Sequence, residues 1–244
     1  MNILYQIPGD LSAGPLGVAE LDRRRGLLQS WAARGVTVDV ADAPGGPPSI
    51  EGQAEEALCV APMIAAVRSR IGDRQPDAVI VGCFGDPGLA ALREILDCPV
   101  VGPFEASFHL AAQLGGRVGV ITILDSVVPL LDQLVRGMGL SLRYAGAVAI
   151  DVPVLELKND QATVMRRVSD GAAQLVRTRD ADVIVLGCMS LAFLGLAEWL
   201  ARECGLPTVN PARCALKTAE SLADQGLVQS RRTFPKPRKD QVIV

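Results

Sequence analysis

Two cysteines occupy equivalent places in two similar stretches of the sequence. Residues 77–83 read DAVIVGC and residues 182–188 read DVIVLGC, so each cysteine follows an aspartate, four apolar residues and a glycine. A cysteine thiolate can act as a base, and a thiol can return a proton. If the two groups lie on opposite faces of one carbon, they can invert a stereocentre without a cofactor. The repeat therefore predicts Cys83 and Cys188 as a catalytic pair.

The residues around the first cysteine favour this chemistry. Cys83 is followed by Phe-Gly-Asp-Pro-Gly, in which Asp86 is a candidate helix N-cap and Pro87 suits the first helical position. A thiol beside a helix N-terminus is shifted toward the thiolate. Gly82 and Gly85 would let the backbone approach a small ligand. The substrate carbon would lie next to a carbonyl group, with backbone N–H groups stabilising the developing negative charge.

Cysteines in apolar strands are more commonly small buried hydrophobic residues. We expect this structural role for the other four cysteines, which are Cys59, Cys98, Cys204 and Cys214. For Cys83 and Cys188, the repeated position and the preceding glycine favour the catalytic role.

Several other classes of function find little support in the sequence. His109 is the one histidine, and the chain contains no CxxC, HExxH or GxSxG pattern, so zinc sites and a serine triad are disfavoured and no metal is predicted. The net charge of −3 and the aromatic content of 4% predict no nucleic-acid partner. Without a secretory signal or a long apolar run, we expect no membrane partner and a cytoplasmic location.

Short Val- and Ile-rich runs alternate with longer stretches of helical spacing, which predicts an α/β fold with parallel sheets covered on both faces. The predicted strands are Ile3–Ile7, Thr37–Val40, Ala78–Val81, Val100–Gly102, Val118–Ile123, Ala145–Ile150, Val183–Leu186 and Thr208–Val209. The predicted helices include Ala19–Arg34, Glu55–Ile71, Leu89–Leu96, Val127–Met138, Gln161–Arg179 and Ala212–Leu222.

The repetition extends beyond the two cysteine segments. DAVIVGC leads through a helix to CPVVGP at 98–103, and DVIVLGC leads through a helix to LPTVNP at 206–211. This pattern predicts two pseudo-symmetric α/β lobes, the first formed by residues 1–103 and 212–244 and the second by residues 104–211. The tail at 231–244, which contains two prolines and five basic residues, is expected to be mobile or to contact another subunit.

Six stretches, read in order, resemble the hydantoin racemase branch of the aspartate/glutamate/hydantoin racemase superfamily. They are GPPSIEGQAEEAL at 46–58, CFGDPGL at 83–89, VVGPFEAS at 100–107, AIDVPVLEL at 149–157, LGCMSL at 186–191 and NPARCALKTAESL at 210–222. The resemblance spans nearly the whole chain. It implies two Rossmann-like lobes with an active site in the cleft between them, and two-base catalysis without a cofactor.

The resemblance also assigns roles to individual residues. By position, Cys83 and Cys188 correspond to the two catalytic cysteines of that family. The implied substrate-binding residues are Pro8, Gly9, Phe84, Gly85, Thr122, Met189 and Ser190. Phe84, Gly85, Met189 and Ser190 would offer backbone N–H groups, and Thr122 matches a substrate-contacting threonine. The implied partners are a small-molecule substrate and further copies of the chain in a homo-oligomer.

The sequence departs from the family pattern at three places. An Asn-Pro-Asn-Thr-Ser run is common after the first strand, but this chain has Ile7-Pro8-Gly9-Asp10-Leu11. Small residues usually follow the second cysteine, where this chain has Met189-Ser190, and a common aspartate is replaced by Asn210. The sequence therefore supports racemase or epimerase chemistry more strongly than it supports hydantoin as the substrate; related amino-acid derivatives are the other candidates.

Three alternatives remain open at this point. A maleate-type cis–trans isomerase would use a cysteine as a nucleophile. An arylmalonate-type decarboxylase is less favoured, because it needs only one such cysteine. The altered loops at Ile7–Leu11 and Met189–Ser190 leave room for a non-catalytic small-molecule binder on the same scaffold.

Overall fold

The alternation of strands and helices predicted from the sequence is present in the computed structural model, which describes residues 1–71 and 75–238. The fold is α/β, with two four-stranded sheets in which every strand pairing is parallel. The strands are β1 (Asn2–Gln6), β2 (Thr37–Ala41), β3 (Ala78–Val81), β4 (Val100–Val101), β5 (Val118–Thr122), β6 (Tyr144–Ala149), β7 (Val183–Leu186) and β8 (Thr208–Val209).

A helix follows each strand, and two helices separate β7 from β8. The helices are α1 (Gly17–Trp31), α2 (Gln53–Ile71), α3 (Leu89–Ile95), α4 (Pro103–Leu114), α5 (Val128–Gly137), α6 (Gln161–Arg179), α7 (Met189–Ala192), α8 (Leu196–Cys204) and α9 (Pro211–Asp224). No helix in the described ranges combines the length and apolar character needed to cross a membrane.

The two sheets have the same strand order. The first sheet is ordered β2-β1-β3-β4 and the second β6-β5-β7-β8. The direction of winding therefore reverses between β1 and β3 in one sheet, and between β5 and β7 in the other. Ligands of open parallel sheets bind beyond the carboxyl ends of the strands at such a reversal.

The described chain divides into two compact units. One contains residues 1–50, 54–103 and the chain from 215 onward, and the other contains residues 51–53 and 104–214. We call these unit 1 and unit 2. Each has its own apolar core, built on Val79, Val81 and Leu92 in unit 1 and on Ile184, Leu186 and Leu200 in unit 2.

The start of the C-terminal tail packs against unit 1, which differs from the expected mobile tail, while contact with another subunit stays a prediction. The Arg231 guanidinium donates to the backbone oxygens of Arg93 (2.9 Å) and Glu94 (3.1 Å) and bonds the Asp97 carboxylate at 2.7 Å. Lys236 Nζ also bonds Asp97, at 2.7 Å. These cations meet the carbonyl end of α3, where positive charge is favourable. Residues 239–244 of the predicted tail lie outside the described residues.

Candidate active site

The aspartate that opens each repeated segment fixes the start of the neighbouring strand. The Asp77 Oδ2 atom accepts a hydrogen bond from Asn2 N at 2.5 Å, next to the start of β1. The Asp182 carboxylate accepts from Gly116 N at 2.9 Å and Arg117 N at 2.8 Å, just before β5. These bonds lower the pKa of Asp182. Both aspartates therefore have a structural role, at the end of the sheet opposite the cysteines.

The glycine before each cysteine allows two strands to approach closely. Gly82 N donates to Gln6 O and Gly187 N donates to Ile121 O, both at 2.6 Å. A Cβ at Gly82 would lie 2.9 Å from Gln6 O, and a Cβ at Gly187 would lie 3.0 Å from Ile121 O and 2.6 Å from a Val120 methyl group. Neither position has room for a larger side chain.

Sheet construction therefore explains the aspartate and the glycine of each repeat but not the choice of cysteine, although Cys188 also packs in the apolar core of unit 2. Cys83 directly follows the glycine after β3 and is half-buried, while Cys188 follows the glycine after β7 and is 9% exposed. Each thiol-bearing residue lies at the carboxyl edge of its sheet, at the point where the winding reverses. This is the edge at which ligands of such sheets bind.

The turn after Cys83 differs from the prediction, and Asp86 is not a helix N-cap. Helix α3 begins at Leu89 with Gly88 in the N-cap position. Asp86 has a left-handed backbone (φ 53°), its N–H donates to Cys83 O at 3.2 Å, and its O accepts from Leu89 N at 3.2 Å. Cys83 is therefore separated from the start of the helix by a tight turn, so the argument that α3 favours its thiolate does not hold.

The Asp86 carboxylate instead packs against the end of β4. A Cβ at Gly102 would collide with Asp86 Oδ2, so a larger residue there would displace this carboxylate. This contact links the Gly-Asp-Pro-Gly turn to the Val-Val-Gly-Pro segment that follows. Phe84 is 3% exposed and Gly85 is half-buried within this turn.

The turn after Cys188 has a different form, because a helix begins at once. Cys188 occupies the N-cap position of α7 in an extended conformation (φ −154°, ψ 133°), and its backbone oxygen accepts from Ala192 N at 3.1 Å. Met189 and Ser190 are the first two residues of this helix, and Met189 is 3% exposed. Backbone N–H groups in a first helical turn point away from the helix body.

Two polar side chains of unit 2 support the Cys188 turn. Thr122 ends β5, is fully buried, and donates from Oγ1 to Gly187 O at 3.3 Å. Asn210 Nδ2 donates to Ala192 O at 3.0 Å, while its Oδ1 accepts from Ala212 N and Arg213 N at the start of α9. An aspartate could cap α9 but could not donate to Ala192 O.

The loop after β1 is closed by contacts within unit 1. Pro8 and Gly9 are buried, and a Cβ at Gly9 would lie 2.5 Å from Pro47 O. Asp10 bonds both arms of the loop, because its carboxylate accepts from Ala13 N at 3.2 Å and from Gly45 N at 3.0 Å. The structure thus gives Gly9 a packing role, and the substrate contact of Pro8 and Gly9 stays a prediction.

The sheets bring the predicted binding residues together within each unit. In unit 1, Pro8–Gly9 and Phe84–Gly85 follow the adjacent strands β1 and β3. In unit 2, Thr122 ends β5 and Met189–Ser190 follow the adjacent strand β7.

Sequence reasoning missed one polar side chain near the Cys83 turn. Gln6 is fully buried at the end of β1, and its Nε2 donates to Ile7 O at 2.9 Å. Its Oε1 has no hydrogen-bond partner in the described residues. Since buried acceptors are rarely left unsatisfied, a water or a ligand N–H group is expected at Gln6 Oε1. The available signal was the one amide in the apolar run Ile3–Ile7.

Two of the cysteines assigned a structural role are buried and poorly ionised. Burial raises the pKa of the Cys59 thiol to about 12, with a further contribution from Glu56, and raises that of Cys98 to about 11. Burial also raises the pKa of Glu56 to about 7. His109 is exposed on α4, with its Nδ1 2.8 Å from Glu105 O. Within residues 1–71 and 75–238, no His, Cys, Asp and Glu side chains cluster in groups suited to a metal ion.

Comparison with known proteins identifies the family. Residues 24–219 match the family model described as Asp/Glu/Hydantoin racemase. The chain is 32% identical over 244 residues to a hydantoin racemase of Paenarthrobacter aurescens, with full coverage of both chains. It is 36% identical over 195 residues to a hydantoin racemase of Rhizobium meliloti, covering 79% of each chain.

A solved structure gives the same result. The allantoin racemase of Pseudomonas fluorescens superposes on this chain with a TM-score of 0.91, at 32% identity and with 100% of both chains covered. The two parallel sheets and the repeated Gly-Cys turns are consistent with the family of these relatives. The chain therefore belongs to the Asp/Glu/hydantoin racemase family and is an isomerase of the racemase type.

Proposed function

We propose that this racemase uses Cys83 and Cys188 as an acid/base pair, without a cofactor, to invert the stereocentre of a hydantoin or a related cyclic ureide. The observation that carries the proposal is the repeated Gly-Cys turn at the winding reversal of each sheet. Strand packing accounts for the glycines and the aspartates, whereas nothing in the sheet geometry requires a cysteine at either position.

The reaction needs one proton removed and one proton returned. The thiolate of one cysteine takes the proton from the ring carbon next to the carbonyl, so that an S–H bond forms and the C–H electron pair moves toward the carbonyl oxygen. The thiol of the other cysteine then protonates the opposite face of that carbon. The opposite enantiomer is converted with the two roles exchanged. The proposal requires both sulfur atoms to reach the same substrate carbon.

Backbone N–H groups would stabilise the enolate oxygen formed on the way. Phe84, Gly85, Met189 and Ser190 are the candidates, because they follow the two cysteines directly. Preorganised N–H donors of this kind lower barriers by stabilising charge that develops in the transition state. Gln6 Oε1 and the Thr122 hydroxyl are candidate contacts to the polar groups of the ring.

The substrate class rests on the relatives. Two of them are described as hydantoin racemases and one as an allantoin racemase. Allantoin is itself a hydantoin carrying a ureido group, so these substrates share one five-membered ring and one acidic C–H position. We propose that this chain acts on that ring, and that the altered loop Ile7–Leu11 changes which substituent is accepted.

The proposal is tested by following the optical rotation of single enantiomers of 5-substituted hydantoins and of allantoin. The wild type should abolish the rotation of at least one substrate, and one solvent deuterium should enter with each inversion in heavy water. Cys83→Ser and Cys188→Ser should each lower the racemisation rate by about 100-fold or more, since each removes an acid/base group.

Cys98→Ser is the matched control, because this thiol is buried, has a raised pKa and lies outside the two repeated turns. It should retain the wild-type rate. Full activity in either Cys83→Ser or Cys188→Ser would refute the two-base mechanism. If the wild type converts none of these substrates but racemises an open-chain amino-acid derivative, the ring would be the wrong substrate class.

A further inference from the structure

The four edge strands of the two sheets are not equally protected. In unit 1, edge strand β2 carries Asp39 at its centre, paired with Arg70 at 3.4 Å. The other edge, β4, is covered by Gln229, whose amide accepts from Val100 N at 3.1 Å and donates to Val100 O at 3.3 Å. In unit 2, edge strand β8 has only two residues. Charges, covering side chains and short length all protect sheet edges from pairing.

Among the described residues, none of these protections is found on edge strand β6, although its register with β5 shifts near its start, where Gly146 has φ 110°. It is six residues long and reads YAGAVA, without a charge or a proline. Ile150 N donates to Thr122 O of β5 at 2.9 Å, and neighbouring residues of a strand direct their backbone groups to opposite sides. The N–H and C=O groups of Ala147 and Ala149 therefore point to the open side. Gly146 and Ala147 line an open groove, so there is space beside this part of the strand.

The two ends of β6 carry opposite charge. A groove of about 440 Å³ beside the Tyr144 end is lined by Arg117, Arg136 and Arg179, against the single carboxylate of Asp132. A second groove, of about 460 Å³, lies beside the Ala149 end, and its one charged lining residue is Asp125. A strand that pairs with β6 should therefore have acidic residues beside the Tyr144 end of β6 and basic residues beside the Ala149 end.

A second copy of β6 meets this requirement. We propose that β6 of one protomer pairs antiparallel with β6 of another around a twofold axis beside Ala147, which joins two four-stranded sheets into one of eight strands. Each Ala147 N–H would donate to the Ala147 C=O of the other copy. The arginine-rich end of one protomer would face Asp125 of the other, and the small side chains would let the two strands approach.

Sedimentation of the full chain tests this pairing. The wild type should be an oligomer, and Ala147→Lys and Ala147→Glu should each reduce its mass to half or less, because the twofold axis places like charges opposite one another. Mixing the two variants should restore the wild-type mass, because each Lys then faces a Glu. Asp39→Lys on edge strand β2 is the matched control and should leave the mass unchanged.

A measurement on the wild type tests the same pairing without relying on the folding of a variant. The amides of Ala147 and Ala149 should exchange with deuterium more slowly at protein concentrations where the oligomer forms than after dilution. A wild type that is monomeric at all concentrations would overturn the proposal. An oligomer of unchanged mass in the Ala147 variants, no restoration on mixing, or unprotected amides in the oligomer would also overturn it.

Discussion

The Cys83 turn and the Cys188 turn are built from the same sequence pattern but differ in local structure. After Cys83, the chain makes a tight turn through Asp86 in a left-handed conformation, and α3 begins only at Leu89. After Cys188, α7 begins with the next residue. The two segments share the strand, the glycine and the hydrogen bond from that glycine to the neighbouring strand. Their backbones differ from the cysteine onward.

This difference separates the part of the repeat that builds the sheet from the part available for chemistry. Gly82 and Gly187 make the same backbone bond at 2.6 Å to the neighbouring strand. In contrast, Asp86 anchors the first turn against Gly102, whereas Asn210 and Thr122 hold the second. Each turn thus has its own supports, and these can be removed separately.

The largest expected effect comes from filling the space at the shared glycines. Gly82→Ala and Gly187→Ala should each lower the free energy of unfolding by about 1–3 kcal/mol, as expected for overpacking in a tight core. Gly82→Ala should cost more, because its Cβ would lie within about 3.0 Å of two backbone atoms, Gln6 O and Ile7 Cα, as well as the Tyr5 ring. Urea unfolding of the two variants measures the difference.

Gly26 on α1 provides the control, since a Cβ there would meet nothing within 4 Å and alanine favours helix. Gly26→Ala should not destabilise the protein. Equal stability of Gly82→Ala and the wild type would contradict the close strand approach.

A smaller effect is expected from removing the support of one turn alone. Asn210→Asp keeps the cap of α9 but loses the N–H donor to Ala192 O, so the carboxylate faces a carbonyl oxygen. The free energy of unfolding should fall by about 1–2 kcal/mol, the usual cost of losing a buried hydrogen bond. Racemisation should slow as well, because α7 carries the residues next to Cys188.

Asn159→Asp is the matched control, because Asn159 is exposed. Thermal unfolding and racemisation rates of both variants check the prediction. If Asn210→Asp behaves like Asn159→Asp, Asn210 does not support the Cys188 turn.

The smallest effect concerns the reactivity of the two thiols. Cys83 is half-buried and Cys188 is 9% exposed, so iodoacetamide should modify Cys83 roughly tenfold faster in the native protein. Cys59 and Cys98 should stay unmodified at neutral pH, because burial raises the pKa of each thiol to about 11 or above. Peptide mapping after timed alkylation measures the modification rate of each cysteine. Faster labelling of Cys188 than of Cys83 would contradict the prediction.

Most of the fold could be predicted from the sequence. Strands β3, β7 and β8 and helix α6 have the predicted bounds, because aspartate, glycine, proline or asparagine residues delimit them. The N-cap assignment of Asp86 was wrong, since Asp86 has a left-handed backbone, Gly88 takes the N-cap position, and the Asp86 carboxylate packs against Gly102, which lies 16 positions later. The contacts of Arg231 join residues that are far apart in the sequence, and the complete burial of Gln6 reflects packing around β1, so neither follows from local spacing.

The most direct test of the two-cysteine mechanism is deuterium exchange by the single variants, with each enantiomer of the substrate supplied separately in heavy water. Cys83→Ser and Cys188→Ser should both fail to invert the substrate. Each should still exchange the ring proton of one enantiomer only, and the two variants should prefer opposite enantiomers. If both variants exchange the same enantiomer, or if either inverts the substrate at the wild-type rate, the two cysteines do not act from opposite faces of one carbon.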